Sequence, residues 1–480
     1  MSIQPFLIGG EWIKGNAVPI ESVNPATGEL NGYVGSASAA DVDHAVTNAL
    51  QAQRQPSWRN MLPHERARLL YRVAELIIER GPQLSAQQMR ENGKLLSECS
   101  FQAAAAAGAF RYFAGICETM VSEVAPSRGQ YLSTVVYEPF GVVAAITPWN
   151  SPLTLEAQKV AAAVAAGNAV VLKPSEFTPT LALELGRIFI DAGFPPGILN
   201  VVTGSGPEAG LALVQHPDVR MISFTGGTAT GRTIAKIAGE RLVPTALELG
   251  GKSPHIVFAD ADLDAALDAV VMGIFSSSGQ SCIAGSRLFI ERSIYDEFLG
   301  RVVVLTRALR VGPPDAPQSQ VASLSSFIHR ERVERYVASA LEEGGQILVG
   351  GKRPDAPELE KGAYYEPTII AGLPSTATVC QEEIFGPVLC VLPFDDEADL
   401  IDQANGTVYG LGCGIWTESF KKAWRVGRAI ESGTIWINTY KALSVATPFG
   451  GFKDSGIGRE KGFYGIRVYQ EAKTIYLGLG

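Results

Sequence analysis

With 480 residues, 46% hydrophobic and 19% charged side chains and a net charge of -9, the chain is sized for two or three soluble domains with substantial cores. The acidic balance leaves no footprint for nucleic acid or an acidic membrane surface, and no apolar run reaches the ~18 residues of a membrane span. Six cysteines without a Cys-x-x-Cys and five scattered histidines give neither metal-site spacing nor a disulfide framework, and Met1-Ser2-Ile3-Gln4-Pro5 is no signal sequence, so a reducing cytoplasm is expected.

Phe6–Ile8, a Gly9-Gly10 turn and Trp12-Ile13 predict a small hairpin. Ser38 with Asp41 predicts a capped helix through about Gln51. Helical periodicity continues over Pro63–Arg80, Gln83–Asn92 and the Ala-rich Phe101–Tyr112. Tyr131–Pro139 then reads as a strand, as does Gln470–Leu479, and exposed strand edges invite pairing between subunits. From Gly141 onward strands over Val142–Thr147, Ala169–Leu172, Ile198–Val202, Met221–Phe224 and Val243–Leu247 alternate with helices over Pro152–Ala166, Pro179–Ala192, Pro207–His216 and Thr228–Gly239. That alternation predicts a parallel doubly wound sheet, with ligands at the carboxyl ends of its strands. A second α/β unit follows over residues 255–440, with strands near Ile256–Phe258, Leu288–Ile290, Val388–Leu392 and Thr434–Asn438. Val311–Ser325 and Gly350–Tyr365, rich in Pro, Gly and charge, are expected on the surface.

Chemistry concentrates between Ala246 and Arg287. Cys282 sits in a small-residue turn after a predicted helix over Ala261–Ser277, where a thiolate could attack a carbonyl carbon. Glu248 ends a strand beside Gly250-Gly251, where a general base could be held. Taken singly, each has an ordinary reading, as a small buried hydrophobe and a solvated loop acid. Asn150 follows Pro148-Trp149 at a strand end and could donate to an oxyanion or cap a helix. Phe224-Thr225-Gly226-Gly227 opens a helix whose free N–H groups suit a pyrophosphate. Lys173 and Glu176 could hold a ribose or form a surface ion pair. No G-x-G-x-x-G follows a strand, and Gly204-Ser205-Gly206 has the wrong third spacing.

Leu247-Glu248-Leu249-Gly250-Gly251-Lys252-Ser253-Pro254 and Gly279-Gln280-Ser281-Cys282-Ile283-Ala284 together resemble the signature strings of the NAD(P)-dependent aldehyde dehydrogenases. The resemblance spans essentially the whole chain, including Pro148–Pro152, Lys173–Glu176, Phe224–Gly231, Glu382–Pro387, Asn438-Thr439-Tyr440 and Pro448–Gly456. It implies the aldehyde dehydrogenase fold: a five-stranded, Rossmann-like NAD-binding domain (1–121 and 141–247), a catalytic domain (248–440) and a β oligomerisation element (122–140 and 464–480) of a homodimer or homotetramer. It implies Cys282 as nucleophile, Glu248 as base, Asn150 with the Cys282 amide as oxyanion donors, and Lys159 with Glu460 as a proton path. Thr147, Pro148, Trp149, Lys173, Ser175, Glu176, Gly206, Phe224, Thr225, Gly226, Gly227, Leu249, Glu383 and Phe385 would bind NAD, the Glu176 carboxylate disfavouring NADP while Lys173 leaves it possible. Gly227 stands where many members carry Ser, and Gln320–Leu324 departs from the usual Gly-Pro-Leu.

The resemblance implies an aldehyde as the small-molecule substrate and a hydrolytic release, since coenzyme A-acylating members generally lack the Glu248 base. A coenzyme A-acylating enzyme, a catalytically silent protein on the same fold and a cysteine hydrolase are the alternatives, the last without a His in a catalytic string. Ser151, Thr154, Leu155, Gln158, Ser276, Ser281, Ile283, Leu443 and Phe449 align with the substrate tunnel. Several are small or polar, which favours a polar or substituted catabolic aldehyde or semialdehyde, and Lys441 near the mouth reads as either a carboxylate partner or a solvated lysine.

Overall fold

The computed structural model describes residues 3–480. One sheet has five parallel strands in the spatial order Thr245–Glu248, Val219–Thr225, Val142–Ile146, Ala169–Lys173, Leu199–Val201. Val142–Ile146 and Ala169–Lys173 are buried at every position, as expected of parallel strands covered on both faces. The predicted N-terminal hairpin, Phe6–Ile8 with Glu11–Ile13, continues this sheet antiparallel beyond Leu199–Val201, and Gly456–Ile457 caps its other edge.

Helices Pro152–Ala165, Thr180–Asp191 and Thr228–Glu240 connect the strands, the first with proline in its opening turn. The predicted helix over Pro207–His216 instead divides into a wide turn, Gly206–Gly210, and a short helix, Leu211–Gln215. Two glycines and a proline within five residues favour that irregular turn. Helix Leu96–Thr119 is about twice its predicted length. It packs along Pro63–Glu79 and Pro152–Ala165, where its alanines permit close approach.

The second sheet has seven strands, ordered Gln346–Val349, Thr368–Ala371, Val388–Phe394, Arg287–Glu291, Pro254–Val257, Gly412–Trp416, Thr434–Ile437, all parallel except the first. Strand Gln470–Gly478 pairs antiparallel with Tyr131–Pro139 over nine positions, and Glu123–Ala125 flanks it. Both segments predicted to be surface loops are partly core. Val321–Ser325 is buried beneath the Cys282 turn, and Leu359, Ala363, Tyr364 and Tyr365 are buried, the first and third packing with Ala26. Apolar side chains at the ends of these polar segments fasten them down.

Candidate active site

The Cys282 turn begins where helix Leu263–Phe275 stops. Ser277, Ser278 and Gly279 have φ of 57°, 53° and 73°, and a non-glycine residue in this left-handed region costs about 1 kcal/mol or more. The surroundings hold the strain. Ser277 donates to Glu98 Oε1 through its N–H (2.7 Å) and hydroxyl (3.3 Å), and Ser278 Oγ donates to the Ala322 carbonyl at 2.8 Å. The Ser325 N–H donates to Gln280 Oε1 at 2.8 Å. A Cβ on Gly279 would lie 2.0 Å from the Gly386 carbonyl oxygen, and one on Gly251 would lie 2.3 Å from that of Cys282. Glycine is obligatory at both close approaches.

Cys282 is half-buried, whereas the other five cysteines are buried. Burial, then the Glu383 and Glu248 carboxylates, push its thiol up to about 12, while Lys461 and Lys441 act in the opposite sense. The resting form at neutral pH is therefore the thiol. Asn150 Nδ2 donates to the Gln280 carbonyl at 3.0 Å. That bond uses one of the amide's two hydrogens, and Asn150 and Cys282 line the same cleft.

Glu248 is buried, with neither carboxylate oxygen hydrogen-bonded. Burial and the nearby Glu460 hold its carboxyl well above the usual range, against Lys159, Arg459 and Lys461. A Cβ on Gly450 would come within 2.9 Å of Glu248 Oε1. Behind it, Glu460 is ion-paired with Lys159, whose Nζ donates to Ser223 Oγ at 3.1 Å. Ser223 Oγ is 2.8 Å from the Tyr469 hydroxyl. The four side chains form a buried polar chain between the first sheet and the C-terminal segment.

On the other side, the cleft is lined by Pro148, Trp149, Asn150, Thr225, Gly226, Gly227, Leu249, Gly250, Glu383 and Phe385. Phe385 has φ of 62° and meets Trp149 edge-on at 5.3 Å. His329 Nε2 donates to the Phe385 carbonyl at 2.7 Å, and burial lowers that imidazole to about 4, so it acts as a neutral donor. Glu383 Oε1 accepts from the Gly251 N–H at 2.8 Å, and burial raises its carboxyl to about 7. Gly227 precedes helix Thr228–Glu240 without a side-chain cap, leaving N–H groups at a positive dipole end. The Thr147 and Thr225 hydroxyls are buried without partners. A Cβ on Gly231 would lie 2.4 Å from Leu249, so helix and strand end meet closely. This donor set, with Arg332 and Arg335 on the rim, fits a dinucleotide.

Other predicted cofactor residues sit deeper or further away. Lys173 Nζ donates to the Pro174 carbonyl at 2.9 Å and lies 3.6 Å from Glu176 Oε2. Ser175 Oγ accepts from the Phe177 N–H at 3.3 Å. Gly206 opens the wide turn with space above it, and the Phe224 ring lies where a Cβ on Gly226 would be. Phe177, Ser326, Ile328, His329, Arg332 and Arg335 line the cleft and were not foreseen. Five lie on or just before helix Phe327–Glu342, whose one sequence signal is the capping Ser326.

Of the predicted substrate positions, Leu155 lines this cleft. Ser151 Oγ accepts from Gln102 Nε2 at 2.9 Å and Thr154 Oγ1 donates to the Gln102 carbonyl at 3.0 Å, so both face helix Leu96–Thr119. Ser276 Oγ accepts from Lys441 Nζ at 2.8 Å, and Phe449 carries Lys461 Nζ 4.9 Å from its ring centre. Gln158 and Ser281 are half-buried and Leu443 is exposed. Ile283 is buried against Leu411 and Trp436, and Cys282 and Phe449 pack on the same cluster.

The family model described as "Aldehyde dehydrogenase family" matches residues 12–475. The chain is 43% identical to (Z)-2-((N-methylformamido)methylene)-5-hydroxybutyrolactone dehydrogenase of Acinetobacter baylyi, covering 98% of this chain and 96% of that protein. It is 39% identical to betaine aldehyde dehydrogenase of Bacillus subtilis, over 98% and 97%. It superposes with a TM-score of 0.97 on the NAD+ complex of an aldehyde dehydrogenase from Bacillus cereus, at 38% identity over 100% of this chain and 97% of that one. Matched along almost its entire length, the chain belongs to the aldehyde dehydrogenase family.

Proposed function

We propose that Cys282, Asn150 and Glu248 carry the oxidation of an aldehyde to its carboxylic acid, with NAD as the acceptor. The observation that carries this reading is the junction of three features at one point: a strained cysteine turn, a fixed amide donor on the same cleft, and a buried carboxyl without hydrogen bonds behind it. The Cys282 thiol releases its proton to solvent as its sulfur adds to the aldehyde carbon. Asn150 Nδ2 and the Cys282 N–H stabilise the oxyanion of the thiohemiacetal, and such a donor contributes about 3 kcal/mol. Bound NAD supplies a hydride acceptor at its nicotinamide ring. The resulting Cys282 thioester is hydrolysed by water that loses a proton to Glu248, and Lys159 with Glu460 conducts that proton away from the buried site.

NAD would rest on Thr225, Gly226, Gly227 and Leu249, with Glu383 on the nicotinamide ribose and Phe385 packing near the nicotinamide. Glu176, with Lys173, would receive the adenosine ribose, favouring NAD while leaving NADP possible. Residues 1–121 and 141–247 form the NAD-binding domain and 248–440 the catalytic domain. Residues 122–140 and 464–480 join subunits into a homodimer or homotetramer. The exposed Val124, Ile475, Tyr476 and Leu477 on that sheet support an apolar interface. No helix among the described residues is long and apolar enough to cross a membrane, and the enzyme works in the cytoplasm.

The substrate is a polar or substituted aldehyde, a reading supported by the substituted substrates for which the relatives at 43% and 39% identity are named. The test is NADH formation from a panel of aldehydes without coenzyme A, in the native enzyme and in Cys282→Ala. Free acid formed only by the native enzyme is the expected result. NADH formation that persists in Cys282→Ala, or that requires coenzyme A, would overturn this assignment.

A further inference from the structure

Three buried or half-buried lysines surround the Cys282 region without an ion-pair partner. Lys461 and Lys94 are 8% and 3% exposed, and neither makes a side-chain hydrogen bond or salt bridge among the described residues. Lys441 Nζ makes one, to the neutral Ser276 hydroxyl. Of the other buried lysines, Lys159 is paired with Glu460 and Lys173 has its neighbours Pro174 and Glu176, whereas Lys252, behind Gly251, is also without a partner among the described residues. An ammonium taken out of water without a counter-charge is expensive, so such groups normally have a partner.

Geometry places these charges at the nucleophile. Ser276, which Lys441 engages, immediately precedes the strained turn that carries Cys282. Lys461 lies over the Phe449 ring, and Phe449 packs with Cys282 against Ile283, Leu411 and Trp436. Both lysines hold strained backbone, with φ of 57° at Lys441 and 59° at Lys461. Such strain persists where the surroundings over-determine it, commonly at ligand clamps. Both act on the Cys282 thiol electrostatically, and Lys94 acts on Lys441. Glu98, the carboxylate that acts on Lys441 and Lys94, is already engaged by Ser277, while Glu460 and Glu248 act on Lys461 without bonding to it.

We propose that Lys441 and Lys461 form an anion subsite beside Cys282, and that the physiological substrate is an aldehyde bearing a carboxylate. Lys94 adds positive potential from behind. The carboxylate supplies a directly bonded counter-charge to Lys441, whose one hydrogen-bond partner is a neutral hydroxyl, and to Lys461, and it orients the aldehyde carbon toward the sulfur. The same field disfavours a cationic aldehyde, which separates this enzyme from a relative named for betaine aldehyde. This inference rests on the aldehyde oxidation proposed above.

The test compares kcat/KM for 4-oxobutanoate, its methyl ester, butanal, betaine aldehyde and a phosphorylated aldehyde. The native enzyme should prefer 4-oxobutanoate to butanal and to the methyl ester by roughly tenfold or more, the size of one charged hydrogen bond. Betaine aldehyde should be the poorest of the five. Lys441→Gln and Lys461→Gln should each reduce the preference for 4-oxobutanoate over butanal, mainly through KM, and Lys441→Arg should restore it. Added salt should erode the preference in the native enzyme. Equal turnover of 4-oxobutanoate and butanal overturns the anion subsite while leaving aldehyde oxidation standing. A phosphorylated aldehyde surpassing the carboxylate overturns the assignment of the anion, and failure of every aldehyde to reduce NAD overturns both readings.

Discussion

Asn150 Nδ2 is hydrogen-bonded at 3.0 Å to the carbonyl oxygen of Gln280, two residues before Cys282. The bond ties the end of one sheet's strand to the nucleophile turn of the other unit, and it fixes the direction of the second amide hydrogen. Positioned this way, the donor can strengthen as negative charge grows on the substrate oxygen. Asn150→Ala should lower kcat by about 100- to 1000-fold with a smaller change in KM. Steady-state kinetics check this, and a change confined to KM would refute the oxyanion role.

Glu248 should act late. Its carboxyl is held well above the ordinary range by burial and by Glu460, so at low pH it is protonated and cannot take a proton from water. Hydrolysis of the thioester should therefore accelerate as pH rises toward that elevated pKa. Glu248→Gln should produce a burst of one NADH per active site followed by very slow turnover, with the rising limb of the pH profile removed. Rapid-mixing absorbance measures both features.

The resting thiol gives a complementary pH prediction. With Cys282 pushed up to about 12, alkylation of the free enzyme by iodoacetamide should be slow at neutral pH and should climb about tenfold per pH unit through the mildly alkaline range. Lys461→Gln should slow it further, because that ammonium favours the thiolate. A plateau near neutral pH would show that the thiolate is already formed.

Two glycines predict opposite outcomes. Gly279 has φ of 73°, and an added Cβ would meet the Gly386 carbonyl at 2.0 Å. Gly279→Ala therefore forces backbone movement beneath Cys282 and should cost about 3 kcal/mol or more, together with most of the activity. Gly227 has φ of -68° and nothing within 4 Å of its Cβ position. Gly227→Ser should be tolerated, shifting stability by a few tenths of a kcal/mol while adding a hydroxyl at the helix end. Thermal melts with and without NAD distinguish the two.

The contacts that demand Gly251 and Gly279 reach the distant Cys282 and Gly386 carbonyls. The strings around Glu248 and Cys282 were nonetheless legible, because each is a short local run that resembles a family signature. The five parallel strands were legible for the same reason, as short apolar runs separated by helical periods. What escaped depends on distant segments. His329 matters through one bond to the Phe385 carbonyl, 56 residues later, and no motif surrounds it. Glu98 supports the Cys282 turn from a helix that was read too short. Strand Gly412–Trp416 is buried throughout yet contains two glycines, so its pattern is weak.

The Lys159–Glu460 pair allows structure and proton transfer to be separated. The two side chains are 0% and 6% exposed, so each is a buried charge that depends on the other. Removing one alone, as in Lys159→Met, leaves Glu460 uncompensated and should cost about 3–5 kcal/mol. Removing both with apolar residues of similar volume, as in Lys159→Met with Glu460→Leu, should restore most of that stability, because a buried pair seldom outweighs its own desolvation. Turnover should not recover with the fold. The doubly substituted enzyme should still form its thioester, visible as an NADH burst, but release acid slowly because the proton taken up by Glu248 has lost its path. Recovery of both stability and steady turnover would assign the pair a structural role alone.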